Sequence, residues 1–436
     1  MVAAADAHDA SRGERTIVVG LVSSGVSRSE VDDHLDELDR LIDTAGGDVV
    51  LRMVQERPAP DPATLVGSGF VDRVRDCAVD LEATTVVFDE DLTASQVRNL
   101  EKRLPENVKV LDRSAVILDI FAQRARTREA QTQVELAQLN YLLPRLTRRW
   151  THLSRQAGGI GTRGVGETQL EVDRRLVSTR IAQLKRKLAV IERDRRLRRD
   201  RRQRVATVAL VGYTNAGKSS LFRRLTSSDV LVEDRLFATL DPRARRVALG
   251  DDVVAVLTDT VGFIRKLPHD LVAPFRSTLE ETAEADLVLH VVDIAHPSWE
   301  EHLEVGTEVL QDLGVDGDRV MVVLNKTDLL GPRPLPHLPD GREAVGVSAR
   351  TGAAVDRLRD AIRAELLSAP DVAFLRVPLD EAEMVRRAVS LPHQLARRFG
   401  DDWVGVAMRV DPRRLVEAGL EPYRVAAWEA ASAGDR

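Results

Sequence analysis

Gly212-Tyr213-Thr214-Asn215-Ala216-Gly217-Lys218-Ser219 carries the spacing G-x-x-x-x-G-K-[ST] without a gap. Residues of these types in this order capture anions. The glycines let the backbone curl until its N–H groups point at phosphate oxygens, and a following helix N-terminus adds partial positive charge. In this pattern Lys218 reaches the outer phosphates, the Ser219 hydroxyl holds Mg²⁺, and Ser220 belongs to the same binding set at the helix start. The flanks give the motif its context. Residues 205–211 (VATVALV) read as a buried strand, and Leu221, Phe222 and Leu225 follow at helical spacing.

Downstream residues narrow the ligand. Residues 253–257 read as a strand that runs into Asp259-Thr260-Val261-Gly262. Asp259 there can hold Mg²⁺ through water, and the Gly262 N–H can sense a γ-phosphate. Residues 286–293 (DLVLHVVD) are another buried strand. Residues 319–324 are the next, ending in Asn325-Lys326-Thr327-Asp328. This order selects guanine. The Asp328 carboxylate accepts from N1–H and the 2-amino group, whereas adenine would leave it unpaired at a cost of about 1–3 kcal/mol or more. Asn325 braces the loop and contacts N7, the Lys326 stem covers the base, and Ser348-Ala349 offers a backbone N–H to guanine O6. Thr239, between the P-loop helix and Asp259, can close over Mg²⁺ and the γ-phosphate as a switch. Lys218, Thr239 and Gly262 are thus the candidate catalytic set, and Ser219 and Thr239 the candidate metal ligands. Phe263 stands where Ras-like enzymes carry a water-orienting glutamine. Its side chain cannot hydrogen-bond water, so packing beneath the switch is its expected role and slow intrinsic hydrolysis the consequence.

These residues need a frame. The 436-residue length suggests two to four domains, and 43% apolar content supports real cores. Residues 1–14 read as a disordered tail without the apolar stretch of a signal peptide. Residues 15–119 alternate strands (16–22, 48–54, 85–88, 108–111) with helices (30–45, 71–81, 94–104), which predicts a small α/β domain with a mostly parallel sheet. Gly67-Ser68-Gly69-Phe70 within it reads as a turn or a weak phosphate cradle. Residues 120–204 differ in kind. They hold 22 Lys/Arg against 8 Asp/Glu, a net of +14, which leaves −20 for the rest of a chain whose total is −6. Ala130, Val134, Ala137 and Tyr141 form one helical stripe, and Leu176, Ile181, Leu184, Leu188 and Ile191 a seam on a second, longer helix. Two helices around the glycine-rich joint 158–169 predict an antiparallel hairpin. Its arginines are either a solvated helix end or a polyanion contact, and its joint either a hinge or a phosphate-meeting tip built on Arg163. Residues 205–368 make a Ras-like P-loop domain, and 369–436 a small α/β extension with a strand at 404–410. Cys77 is the only cysteine, which suits a reducing cytoplasm. No window has the roughly 18 apolar residues of a membrane helix. The nine histidines, His34, His152 and His302 among them, lack ligand spacing, and packing or surface roles are expected.

The chain resembles the HflX family of translation-factor-class GTPases. The likeness rests on residues 118–129 (LDIFAQRARTRE), 133–139 (QVELAQL), 141–146 (YLLPRL), the joint through 167–171 (ETQLE), 237–242 (FATLDP) and 259–265 (DTVGFIR). The resemblance implies an enzyme that hydrolyses GTP to GDP with Mg²⁺, binds the large ribosomal subunit and its rRNA, and splits or rescues stalled ribosomes. It implies a cytoplasmic monomer with no DNA partner and at most peripheral membrane association. In similar GTPases an asparagine at the position of Asn215 brings potassium beside the phosphates; a neutral loop residue is the alternative. Two departures stand out. Gly67–Phe70 lacks the family's usual lysine-containing sequence, which weakens a second, N-terminal nucleotide site, and Arg243 follows Pro242 where the family tends to have threonine. Two other functions fit the motifs: a GTP-switched scaffold for a protein or membrane partner without RNA, and an ATP-dependent RNA remodeller using the N-terminal domain.

Overall fold

The computed structural model describes residues 14–146, 169–200, 205–226, 237, 243–250, 253–265, 282–331, 334–338, 341–369 and 371–426, with side chains omitted at 169–170, 192 and 194–200. The chain divides into two compact units. The first holds residues 1–190 with short returns at 235–237 and 267–275; the second holds the remainder.

The first unit begins β1 (Arg15–Val22), α1 (Arg28–Ala45), β2 (Asp48–Glu56), α2 (Ser68–Asp80), β3 (Thr85–Phe88), α3 (Ala94–Glu101), β4 (Lys109–Asp112) and α4 (Arg113–Arg124). All pairings are parallel, in the order β2-β1-β3-β4. Ile17, Val18 and Val19 are buried in succession, as a strand covered on both faces requires. A Ser27–Glu30 capping box starts α1, and Gly46 at φ 94° ends it. Gly67 is not in a free turn. It caps α2, so Ser68 and Gly69 lie in the first helical turn. The expected boundary between 119 and 120 falls inside α4, whose Val116, Ile117, Leu118, Ile120 and Phe121 are buried. Phe237 also belongs to this unit, its buried ring edge-on to Phe121 at 4.6 Å.

The basic region supplies α5 (Arg128–Leu142) and α6 (Gln169–Asp200). Leu136 packs with Ile181, Leu184 and Leu188, and Leu139, Leu143 and Val177 extend the seam. Leu176, expected in that seam, is exposed. Positions 177, 181, 184 and 188 follow a 4-3-4 spacing that keeps one face on the partner; 176 is one residue, about 100°, off that face. Ala130, Val134 and Ala137 are buried as their stripe predicted. Asp112 fixes the start of this region. Its buried carboxylate accepts from the Tyr141 hydroxyl (2.8 Å), the Leu92 N–H (3.1 Å) and Arg145 Nη2 (3.1 Å), and caps α4 at Ala115 N. The joint, Arg163 and His152 lie outside the described residues.

The second unit contains β5 (Ala206–Gly212), α7 (Lys218–Thr226), β6 (Arg243–Ala248), β7 (Val254–Asp259), β8 (Leu287–Asp293), α8 (Trp299–Asp312), β9 (Val320–Asn325), β10 (Ala344–Gly346) and α9 (Val355–Ser368). The sheet order is β10-β9-β8-β5-β7-β6, with β6 alone antiparallel. Gly306 lets α8 lie on the buried His290; a Cβ there would stand 2.2 Å from Nε2. The last part is β11 (Val372–Pro378), α10 (Ala382–Ser390), β12 (Gln394–Phe399), β13 (Trp403–Arg409), α11 (Pro412–Glu417) and β14 (Arg424–Val425). It forms an antiparallel sheet ordered β12-β13-β11-β14. This sheet shares the core of the larger one. Leu395, Ala396 and Ala407 cluster with Val208, Phe222, Leu257 and Leu289, and Val253 bridges Ala396. Among the described residues no helix is long and apolar enough to cross a membrane.

Asp286 joins the two sheets. One carboxylate oxygen accepts from Thr207 N (2.6 Å) and Oγ1 (3.0 Å), and the other meets Arg409 Nη1 at 2.9 Å. Asp286→Ala would leave a largely buried guanidinium and a backbone N–H without their acceptor. Urea unfolding should show a loss of about 2–4 kcal/mol. Asp371→Ala, at the exposed second acceptor 3.5 Å from Arg409, should stay within about 0.5 kcal/mol of the parent.

Candidate functional site

The expected site residues converge at the C-terminal ends of β5, β7, β9 and β10. Buried Val208, Leu210 and Val211 carry β5 into the loop. Gly212, at φ 140°, passes so close to β8 that a Cβ would stand 2.1 Å from the Val291 carbonyl oxygen. Asn215 is exposed with φ 60°, a left-handed conformation asparagine tolerates. Tyr213, Thr214 and Ala216 are buried. Gly217, at φ 90°, faces the Asn325 carboxamide, whose nitrogen lies 2.2 Å from where a Cβ would be.

Lys218 opens α7 and turns back under the loop. Its ammonium donates to the Gly212 (3.0 Å) and Tyr213 (2.8 Å) carbonyls. Burial lowers its pKa to about 8, against the opposing pull of Asp259. The Ser219 hydroxyl donates to Asp259 Oδ2 at 2.8 Å, and that carboxylate is fully buried. Ser220 follows, half-buried in the first turn of the helix.

Beyond Asp259 the chain crosses the loop. Thr260 Oγ1 donates to the Leu210 carbonyl at 2.7 Å. Gly262 presses on the lysine: a Cβ there would be 2.9 Å from Lys218 Nζ and 2.9 Å from Thr214 Cα. Phe263 N donates to the Gly212 carbonyl (2.9 Å), and Thr214 N to the Phe263 carbonyl (2.7 Å). The Phe263 ring is buried with Tyr213, Val211 and Val288, which gives it a packing role.

On the other side, Asn325 Nδ2 donates to the Ala216 carbonyl at 2.8 Å, and its Oδ1 accepts from Ala349 N at 3.0 Å. The brace expected of Asn325 is therefore a direct tie to the phosphate loop. Lys326, at φ 64°, pairs with Asp293 at 2.6 Å. The Asp328 carboxylate accepts from the Ser348 hydroxyl at 2.6 Å and lies 3.3 Å from Arg350 Nε. The N–H groups expected to meet guanine O6 are occupied within the protein: Ala349 N by Asn325, and Ser348 N by the Ala353 carbonyl at 3.1 Å. Asp293 and Arg350 are additions to the expected set. Their signals were an acidic residue closing a buried strand and a cation directly after Ser348-Ala349.

Thr239 lies outside the described residues. Of the histidines, His34 sits 3.5 Å from Asp89, and His302 stacks on Tyr213. Among the described residues no group of three or more His, Cys, Asp or Glu could hold a metal.

Three family profiles tile this sequence. Residues 32–122 match one described as the GTP-binding GTPase N-terminal region, 124–202 the GTP-binding GTPase middle region, and 207–326 a 50S ribosome-binding GTPase. The GTPase HflX of Magnetococcus marinus is 45% identical over 92% of this chain and 94% of its own length. That of Escherichia coli is 44% identical over 88% and 90%, and that of Flavobacterium psychrophilum 49% over 72% and 76%. A crystal structure of a GTP-binding protein from Sulfolobus solfataricus with GDP is 24% identical, covering 80% of this chain and 98% of that one, at a TM-score of 0.42.

The lowered lysine pKa has a consequence for ligand binding. A phosphate beside Lys218 favours its charged form, so the bound pKa lies above the free value of about 8. Affinity for a nucleoside diphosphate should then be flat below pH 8. Above it, affinity should fall toward a limit of about tenfold per pH unit until the bound form also titrates. Equilibrium titration of GDP between pH 7 and 9.5 reads this directly.

Proposed function

The chain belongs to the HflX family of GTPases, and on that premise we propose that it binds the large ribosomal subunit and uses the GTP cycle to split or rescue stalled ribosomes. GTP is bound and hydrolysed. The residues we assign to that work are those assembled at the strand ends. Backbone N–H groups of Asn215 and Gly217 and the Lys218 ammonium hold the phosphates. Ser219 and Asp259 offer hard oxygen donors 2.8 Å apart, a set that suits Mg²⁺. Thr239 would complete it, and the ion would neutralise charge on the β- and γ-oxygens. Asp328 carries the base specificity. Its carboxylate already takes one hydroxyl donor from Ser348, and guanine supplies two more where adenine supplies none.

With Phe263 in place of a polar side chain, the attacking water has no side-chain acceptor at that position. Slow turnover of the isolated protein follows, with acceleration on a ribosomal surface. The observation that carries the ribosomal reading is the cationic face of α6. Arg174, Arg175, Lys185, Arg186 and Lys187 are all exposed, while the apolar seam faces α5 and Arg180 pairs with Glu135 of that helix at 2.6 Å. A helix so charged along its open side matches a phosphate backbone.

Two measurements test this. Asp328→Asn should move preference from guanine toward xanthine nucleotides, read by competition binding; unchanged preference would remove Asp328 from the base site. Cosedimentation with large subunits, in the presence of a non-hydrolysable GTP analogue, should weaken steeply with salt. Replacing Lys185, Arg186 and Lys187 by glutamine should reduce the log–log salt slope by about 2–3. Salt-independent binding, or none, would favour a scaffold without RNA.

A further inference from the structure

Tyr213 lies within the phosphate motif, yet its side chain serves the segment after Asp259. The ring is buried and lies flat on His302 of α8, with centroids 3.8 Å apart and planes 9° from parallel. His302 in turn meets His296 at 4.5 Å. Burial first, then His296 and Arg265, lower the His302 pKa to about 3, so the stack is between neutral rings across the physiological range.

The hydroxyl has a separate task. It accepts from the Arg265 N–H at 2.9 Å, and Arg265 Nη2 pairs with Glu301, the residue before His302. The main chain from Gly262 to Arg265 is therefore held at both ends: the Gly212–Phe263 and Thr214–Phe263 hydrogen bonds at its start, the tyrosine hydroxyl at its finish. Immediately before them Gly262 is pressed against Lys218. A phenylalanine would fill the same buried space and keep the stack. The oxygen adds a fixed acceptor for the main chain of the segment that follows Asp259.

We propose that Tyr213 is a positioning residue for GTP hydrolysis. Its hydroxyl holds the main chain of Gly262–Arg265 over Lys218, with His302 as the support behind the ring. Because Phe263 gives the water no hydrogen bond, placement of this backbone sets how well the γ-phosphate and the incoming water are aligned. The proposal rests on reading Lys218 and Gly262 as the pair that faces the γ-phosphate.

The test separates turnover from binding. Tyr213→Phe should lower kcat for GTP hydrolysis about fivefold, the effect of one hydrogen bond on a barrier, while GDP affinity stays within about twofold. His302→Ala should also lower kcat, and His302→Phe, which restores a flat ring, should recover most of the loss. Wild-type kcat in Tyr213→Phe would overturn the proposal. So would a parallel loss of kcat and GDP affinity, since that marks general packing. Lys218→Ala run alongside distinguishes the underlying reading: full GDP affinity and turnover in that variant would mean the phosphate site itself is misassigned.

Discussion

A single carboxamide holds the nucleotide site in one piece. Asn325 leaves the end of β9, gives one N–H to the Ala216 carbonyl, and takes the Ala349 N–H on its oxygen. The phosphate loop, the base-reading loop and the Ser348 turn are separate stretches of chain, each too short to hold its own shape. Asn325 joins all three through one planar group that is 1% exposed, and the Ser348 hydroxyl adds a second tie between the last two at Asp328. The cost of this economy is visible at Gly217, where the carboxamide occupies the place of any side chain. Hydrogen bonds of this kind contribute about 1 kcal/mol each when made, and more is lost when a buried partner is left without one.

The charged groups follow the same logic. Lys218 is satisfied by two carbonyls of its own loop, Ser219 by Asp259, and Lys326 by Asp293. The site is a set of internal pairs rather than an open array of charges. In the proposed reading, selectivity for guanine rests on one carboxylate, Asp328, which Ser348 and Arg350 contact.

The phosphate and base motifs were legible because each sits where a buried strand stops, and buried parallel strands are the plainest patterns in a sequence. The first unit's parallel sheet was legible for the same reason. What escaped has identifiable causes. β6 reads ARRV at its centre, with a single buried residue, Val247, so an edge strand in solvent leaves no apolar alternation. The change of net charge after 119 falls inside α4, where Ile117 and Phe121 lie on one buried face. Leu176 and Val177 are both apolar neighbours in sequence, and only packing reveals that Val177 is the one in the seam. The docking of the last sheet through Leu395, Ala396 and Ala407 has no local signature at all; three small or medium apolar residues acquire meaning from what lies across from them. Tyr213 was read as part of a phosphate motif, and pattern alone could not say that its ring faces α8.

The shared core of the two sheets in the second unit bears on how the protein is made. Val253 is matched by Ala396, and Asp286 by Arg409. While the chain is being synthesised, the flank of β7 therefore waits uncovered until well over a hundred further residues have emerged. The parallel sheet of the first unit has every strand in hand by Asp112 and can close early. Translation thus imposes an order, with the sheet near the start folding first and the nucleotide-binding portion last.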